Sequence, residues 1–275
     1  MSTNDIRIEL SETAATWMAG ESLAGRYVLN DPFKPYFEVL NTPCKHNATV
    51  VMPADHRHHK GMMYSLKCAD LNFWEEDPGQ PSCGIQRILE TRVEGETLRQ
   101  ELLWCREDGS LPTYEETRRI RCAPSSDGRG FSWEWETRRK ALREHRLVKS
   151  AWSIKKPNGE LVNYHGLGIR LPWSWAGDWV SGVQMDGRSM EPDEAAGSVA
   201  RAATFFGWFD GKWSPDGGAV TIVQDHGFGW FVLKAAFAYL ATGPSVSEEL
   251  DVAAGQMFEE RYTILVEARI EARSH

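Results

Sequence analysis

Three of the eight histidines lie within four residues of one another, at His56, His58 and His59 in the segment Pro53–Gly61. Histidine changes charge close to neutral pH, and its neutral ring also binds divalent metal ions. If the segment is extended like a strand, His56 and His58 point to one face and His59 to the other. The cluster predicts half of a metal site or a general base, and the structural alternative is a polar loop whose histidines cap backbone groups.

A polar and aromatic stretch follows at residues 70–77. Glu75 or Glu76 could add a carboxylate ligand or an acid, and the face of Trp74 could stack on the C–H surface of a sugar. A surface loop with one buried aromatic residue would have the same composition, so this stretch is a weaker candidate than the histidines.

Two further segments place charged groups beside glycines. If residues 166–171 form a strand, His165 just before it shares one face with Leu167, and Arg170 shares the other face with two glycines. The small glycines leave room for the guanidinium to meet a ligand oxygen. His226 follows another predicted strand and could be a distant partner for the first cluster. The structural alternatives are a solvent-facing arginine and ordinary turn chemistry.

The elements that must position these groups follow a period of two, which is typical of strands with one buried face. Aromatic residues alternate with polar ones in residues 131–136, and residues 261–270 alternate similarly apart from Leu265. Turn signals rich in glycine, asparagine and proline separate many short segments. The sequence therefore predicts an all-β fold, a large antiparallel β-sandwich forming a single domain over residues 1–275.

Helix-period segments are scarce, and only residues 138–147 and 192–199 suggest a helical turn or two. Residues 185–200 are expected to form a long loop. The remaining strand predictions are residues 6–10, 25–29, 35–40, 48–52, 61–68, 85–93, 97–105, 115–122, 149–154, 166–171, 180–184, 219–224 and 230–234.

Composition excludes several classes of function. The formal net charge of −8 argues against nucleic-acid binding, and no apolar stretch is long enough for a membrane span. Five scattered cysteines without a Cys-x-x-Cys pair form neither a disulfide framework nor a zinc knuckle, and no glycine-rich motif predicts a nucleotide cofactor. Without a signal peptide at the start of the sequence, we expect a cytoplasmic protein with reduced, buried thiols.

Several segments in a fixed order resemble a bacterial domain-of-unknown-function family labelled PmoA-like. They run from residues 26–43 through the His-x-His-His-Lys-Gly cluster that ends at Lys60 and Gly61, and through Asn72-Phe73-Trp74, to residues 166–170 and 255–266. One departure is residues 44–46, where a glycine is expected soon after Pro43. The resemblance implies a sandwich of the galactose-mutarotase kind and a role beside sugar dehydrogenases, and hence oxidised sugars such as 3-keto-glycosides as substrates.

A 3-keto-glycoside has an acidic C2–H, so a base can remove that proton and the C1 substituent can leave by β-elimination. Under this hypothesis a divalent metal ion acts as a Lewis acid, and the enzyme is a lyase or hydrolase of keto-glycosides. The predicted roles are metal ligands at His56, His58 and Glu75, a base at His59, and oxyanion stabilisers at Lys60 and Arg170, with His165 in the catalytic set and Trp74, Asn72, Tyr64 and His226 in the substrate-binding set.

Two alternatives stay open. A sugar epimerase or mutarotase would use a histidine and a carboxylate as an acid–base pair without a metal ion, and a non-catalytic carbohydrate-binding protein would use the tryptophans alone. In each case the expected partner is a small-molecule sugar, with no nucleic acid and no membrane, and self-association into a homo-oligomer is left open.

Overall fold

The computed structural model describes residues 6–177, 181–209 and 216–269. In chain order its strands are β1 Ile6–Leu10, β2 Ala14–Ala19, β3 Ser22–Val28, β4 Tyr36–Leu40, β5 Met62–Ser65, β6 Gly84–Glu94, β7 Thr97–Arg106, β8 Tyr114–Pro124, β9 Gly130–Ala141, β10 His145–Leu147, β11 Ile154–Lys155, β12 Leu161–Val162, β13 Gly166–Arg170, β14 Gly182–Met185, β15 Arg188–Met190, β16 Ala202–Trp208, β17 Gly217–Gln224, β18 Trp230–Lys234, β19 Ala238–Thr242, β20 Leu250–Val252 and β21 Met257–Arg269.

Two large antiparallel sheets form a β-sandwich. One has eight strands in the order β1-β2-β3-β4-β5-β13-β19-β18, and the other has nine in the order β15-β14-β16-β17-β21-β9-β8-β7-β6. Two short two-stranded ladders, β10 with β20 and β11 with β12, join loop segments. The predicted antiparallel β-sandwich is confirmed.

The main core lies between the two sheets and follows the predicted alternation. In β9, Phe131, Trp133 and Trp135 are buried in this core while Glu134 is exposed, as the period of two predicts. Among the tryptophans of the described ranges, seven are fully buried, in keeping with the large apolar area of this side chain.

The eight-stranded sheet also buries its second face. Along β5, Met62 belongs to the main core while Met63 belongs to a second apolar cluster, and along β19, Leu240 and Tyr239 divide in the same way. Successive side chains of a strand point to opposite faces, so the second cluster lies on the outer side of this sheet. Loops and short ladders cover it there, and the candidate site lies on that side.

Several predicted elements were wrong or missed. Residues 48–52 and most of 149–154 are not strands, and residues 138–147, expected to be helical, belong to β9, a bend and β10. The predicted loop 185–200 contains β15 and the α-helix α1, Pro192–Ala195, which confirms a helical turn there; a 3₁₀ turn forms at Trp173–Trp175. Residues 180 and 270, the outer ends of two predicted strands, lie outside the described residues.

Lys45 adopts a positive φ of 69° in the turn where the family pattern led us to expect a glycine. Four of the five free cysteines are buried and Cys44 is exposed. None of the helices in the described ranges has the length and apolarity required to cross a membrane.

Candidate functional site

Two successive turns bring the three histidines together. The amide of His56 donates to the carbonyl of Pro53 at 3.0 Å, and the amide of His59 donates to the carbonyl of His56 at 3.0 Å. The ring centroids of His56 and His59 are 4.6 Å apart, and those of His58 and His59 are 4.7 Å apart. The expected strand spacing, with His59 on the face opposite to His56 and His58, is wrong, because turns rather than a strand set these orientations.

His56 is oriented by its neighbour Asp55. Nδ1 of His56 lies 2.7 Å from Oδ2 of Asp55, and because an ionised carboxylate can only accept, the ring donates from Nδ1, so that in its neutral form the lone pair lies on Nε2. Desolvation raises the pKa of Asp55, but the hydrogen bond from His56 and the nearby charge of Arg170 outweigh it and lower that pKa. An ionised carboxylate behind an imidazole is the arrangement that holds a general base in place.

His59 is oriented by Arg170 and has the opposite polarity. Nη1 of Arg170 donates to Nδ1 of His59 at 3.0 Å, so the ring proton lies on Nε2. Burial, followed by the neighbouring His58 and Arg170, lowers the pKa of His59 to about 2. Burial and the charge of Lys34 lower the pKa of His58 to about 4. At neutral pH, His59 is therefore an N–H donor rather than a base with a free lone pair.

Arg170 projects from β13 to the outer side of the eight-stranded sheet, as the alternation predicts. Its guanidinium carbon lies 3.8 Å from the ring centroid of Phe237 and 4.6 Å from that of Trp173. Burial lowers its pKa to about 10, so it remains charged at neutral pH. The space expected beside the strand glycines is not free for a ligand, since the hydroxyl of Tyr239 fills the position above Gly168.

The histidines open into a cavity of about 490 Å³ on the outer side of this sheet. Its polar lining comes from Asp55, His56, His58, His59 and Glu75. A cavity of this size suits a small organic ligand, since such pockets usually measure ~300–1,000 Å³.

Aromatic and aliphatic side chains form the rest of the cavity. Trp74, Tyr164 and Tyr239 come from the second apolar cluster, and Trp74 and Tyr164 have ring centroids 4.9 Å apart. Trp152 also lines the cavity and is 80% exposed, so one wide aromatic face is available to solvent and to a ligand.

Lys60 and Gly61, the last two residues of the histidine motif, anchor the turns. The Lys60 ammonium lies 2.6 Å from Asp31 and 2.8 Å from Glu76, and the residue is only 2% exposed. Gly61 has a φ of +55°, and a Cβ there would collide with the carbonyl oxygen of Phe37. Lys60 does not line the cavity, so the structure does not place it where the predicted oxyanion role requires it.

Glu75 lines the cavity but its carboxylate already has four protein partners. Lys67 donates to it at 3.2 Å and Ser150 and Tyr164 each at 3.0 Å, and Asn72 donates to it as well. Burial raises the pKa of Glu75, but the charge of Lys67 and these hydrogen bonds outweigh burial and lower it. Asn72 also accepts from the amides of Trp74 and Glu75, so it shapes this loop and does not line the cavity.

The donors predicted to hold a metal ion do not form a three-ligand set. Within residues 6–177, 181–209 and 216–269, no three His, Cys, Asp or Glu side chains are arranged to hold one. His56 keeps a lone pair on Nε2, whereas Glu75 is saturated by its protein partners. The residues present do not fit the metal centre expected from His56, His58 and Glu75, and that centre remains a prediction.

The other predicted site residues lie away from the cavity. The ring of His165 is fully buried next to Trp74, with 5.6 Å between the ring centroids. Gly166 has a φ of +123°, which interrupts the strand alternation that would have placed His165 on the same face as Leu167. Nδ1 of His165 lies 2.7 Å from the side-chain amide of Asn163, and burial lowers its pKa to about 3.

Tyr64 and His226 are also separate from the histidine cluster. Tyr64 points into the core between the sheets, where its hydroxyl donates to Glu260 at 2.8 Å. His226 lies beside the nine-stranded sheet, and its ring accepts a hydrogen bond from the amide of Arg261 at 2.8 Å. The structure therefore brings together His56, His58, His59, Arg170, Trp74 and Glu75, and not Lys60, Asn72, Tyr64, His165 or His226.

Residues 14–274 match the model of a family described as a family of unknown function, DUF6807. The chain belongs to DUF6807. That description does not carry the PmoA-like label, which remains a prediction from the motif. No curated protein matches the sequence.

The structure of this DUF6807 protein is similar to several solved structures. The GH36 alpha-galactosidase AgaB from Geobacillus stearothermophilus is 10% identical with a TM-score of 0.50, covering 97% of this chain and 41% of the galactosidase. The chain thus spans about two fifths of that protein's length. The galactose 1-epimerase from Lactobacillus acidophilus NCFM is 7% identical with a TM-score of 0.43, covering 96% of this chain and 98% of the epimerase. At 10% identity the likeness to the galactosidase concerns the fold alone.

Sequence reasoning overlooked several groups that complete the site of this DUF6807 protein. Asp55 lies in the segment Pro53–Gly61 but was assigned no role, although an acid beside a histidine is a signal for an oriented base. Phe237 and Tyr239 alternate with Ala238, a short period-two signal that predicts a strand with one side facing the cavity. Trp152 carries no local signal of exposure.

Proposed function

We propose that this protein is a carbohydrate-active enzyme that removes a proton from carbon in an oxidised sugar and cleaves 3-keto-glycosides by β-elimination. The observation that carries the proposal is the pairing of two differently polarised imidazoles in one aromatic cavity. His56, backed by Asp55, offers a lone pair, and His59, backed by Arg170, offers an N–H group. Proton abstraction beside a ketone needs both kinds of group.

In the proposed reaction Nε2 of His56 takes the C2 proton, and the C2–H electrons form the C2=C3 bond of an enolate. The N–H of His59 donates to the enolate oxygen, as a neutral imidazole can. The enolate then reforms the C3 ketone, the C1=C2 bond forms, and the C1–O bond breaks. The leaving oxygen takes the proton back from His56, so the products are an unsaturated keto-sugar and an alcohol.

The cavity also supports sugar binding. Trp152 presents aromatic surface of the kind that packs on the C–H face of a pyranose, whereas Trp74, which also lines the cavity, is fully buried. The polar lining offers partners for hydroxyl groups. Because the pKa values of His58 and His59 are lowered to about 4 and about 2, the rings are neutral near pH 7 and suit hydroxyl and carbonyl oxygens.

The test uses a 3-keto-glucoside with NMR detection of C2–H exchange in D₂O and of alcohol release. We expect His56→Asn, which keeps a donor toward Asp55 but removes the base, to slow both signals by ~10²-fold or more. His226→Asn is the matched control, because His226 lies outside the cavity. Unchanged exchange in His56→Asn, or equal loss in the control, would show that His56 is not the base.

A sugar epimerase or mutarotase is the second candidate, because the His56 imidazole and the carboxylate of Glu75 line the same cavity. In this reaction Glu75 has to exchange one of its four protein partners for the sugar. It predicts interconversion of the anomers of a reducing sugar, measured by NMR, without cleavage of keto-glycosides. Binding of sugars with neither reaction would instead favour a carbohydrate-binding protein. A stoichiometric divalent ion in the purified protein would support the predicted metal-assisted lyase.

A further inference from the structure

A single row of paired residues crosses three neighbouring strands on the side of the sheet that carries the cavity. Arg170 of β13 pairs with Tyr239 of β19, and Tyr239 pairs with Leu233 of β18. Side chains in such a row point to the same side of the sheet. Arg170 holds His59 at one end of the row, and the row ends at Leu233 on the edge strand. The row therefore runs from the reactive imidazoles to the sheet edge.

The edge end of the cavity is apolar. Leu233 and Phe231 of β18 line it, and Ile154 and Trp152 line the same cavity from the loop that ends in β11. These four side chains include no charged group, and among them only Trp152 carries a side-chain donor. The imidazoles of the lining come from residues 55–59, whereas the carboxylate of Glu75 is held by Ser150 and Tyr164, next to the loop that carries Trp152.

The two ends are too far apart for a bare monosaccharide to use both. Arg170 and Leu233 are separated by two strand spacings, ~10 Å in all. If the reacting carbons lie at His56 and His59, the group attached at C1 extends toward the edge end. Hydroxyl groups there would lose water without gaining a partner, whereas an apolar group would gain from burial.

Resting on the proposed function, we infer that the substrate is a glycoside of an aromatic alcohol, with its aromatic aglycone bound on the wall formed by Trp152, Ile154, Phe231 and Leu233. The flat ring of Trp152, which is 80% exposed, favours an aromatic group over a second sugar, because aromatic pairs gain stacking or edge contacts beyond the buried area. Phe231 is 3% exposed and adds a small apolar surface. The wall thus selects the leaving group, and the histidines act on the sugar.

The test compares binding of phenyl and methyl 3-keto-glucosides by titration calorimetry, using His56→Asn protein so that turnover does not interfere. We expect phenyl to bind ~10-fold or more tightly than methyl. Leu233→Gln should bring this ratio close to one while methyl binding is unchanged. Leu89→Gln is the matched control, because Leu89 is an exposed leucine of the nine-stranded sheet.

The outcomes separate this inference from the proposed function. Equal binding of the two glycosides, or an unchanged ratio in Leu233→Gln, would overturn the aromatic aglycone even if both compounds are cleaved. A phenyl preference that depends on Leu233, found in a protein that cleaves neither compound, would keep the wall as an aromatic subsite and refute the lyase.

Discussion

Replacing Lys60 with methionine distinguishes an anchoring lysine from a catalytic one. The ammonium lies between the carboxylates of Asp31 and Glu76, all three side chains being at most 9% exposed. Lys34 is the second cation of the cluster and lies 2.9 Å from Glu76, so the four charges balance. Methionine keeps the apolar stem but removes the charge, which leaves one buried carboxylate in excess. We expect a loss of folding stability rather than a selective loss of turnover.

The magnitude follows from what the carboxylates retain. Breaking a buried ion pair by removing one partner costs ~3–5 kcal/mol. Asp31 keeps hydrogen bonds from the amides of Phe33 and Lys34, at 2.9 and 3.1 Å, and Glu76 keeps Lys34. These remaining partners place the expected loss for Lys60→Met at the lower end, ~3 kcal/mol. Urea unfolding followed by tryptophan fluorescence measures it as a lower midpoint with an unchanged slope.

Two further variants make the result specific. Lys140→Met removes an exposed lysine of β9 and should leave the unfolding midpoint close to that of the wild type. Adding Asp31→Asn to Lys60→Met restores the charge balance and should recover part of the loss. If Lys60→Met unfolds like the wild type but loses turnover at saturating substrate, the anchoring role is wrong and the oxyanion role predicted from the sequence is supported.

Three other perturbations test the surroundings of the site. The folded-state pKa values of His59 and His165 are lowered to about 2 and about 3, so the unfolded chain binds protons first as the pH falls below ~6.5. The free energy of unfolding should therefore drop by roughly 1.4 kcal/mol per pH unit for each histidine. In His59→Asn the urea midpoint should depend less steeply on pH, and an unchanged slope would contradict the lowered pKa of His59. Gly61→Ala should cost ~2 kcal/mol or more in the same assay, because φ is positive and the carbonyl of Phe37 blocks a Cβ; a wild-type midpoint would refute this. In Arg170→Met the ring proton of His59 should be able to move from Nε2 to Nδ1, which a ¹⁵N imidazole spectrum detects as a change of tautomer. An unchanged tautomer would show that Arg170 does not fix it.

The sequence was a good guide to the fold where strands are long and amphipathic. β9 and β21 alternate over twelve and thirteen residues and pair along most of their length, so local pattern and final burial agree. β2 and β19, with sequences AATWMA and AYLAT, escaped prediction because small residues carry little strand propensity. β19 is buried on both faces and holds its place by pairing with β13 and β18, which is long-range information.

The site was predicted less completely because its chemistry depends on contacts that are distant in sequence. The grouping of His56, His58 and His59 could be read locally. The tautomer of His59 could not, since it depends on Arg170, 111 residues further along the chain. Lys60 appeared catalytic for the same reason: its two carboxylate partners come from other loops.

The histidine motif supplies both the neutral imidazoles of the cavity and the buried lysine that anchors their turns. Three imidazoles within 6 Å of one another would repel strongly if protonated, and here burial and mutual repulsion keep His58 and His59 neutral. Holding neutral rings at fixed angles requires rigid turns. Lys60, which follows the histidines in the sequence, makes these turns rigid because its ammonium is buried against Asp31 and Glu76 and does not face the ligand. A lysine free in the cavity would favour anions. With Lys60 withdrawn, the cavity presents neutral donors and acceptors beside aromatic faces, which matches a ligand rich in hydroxyl groups rather than a phosphate ester.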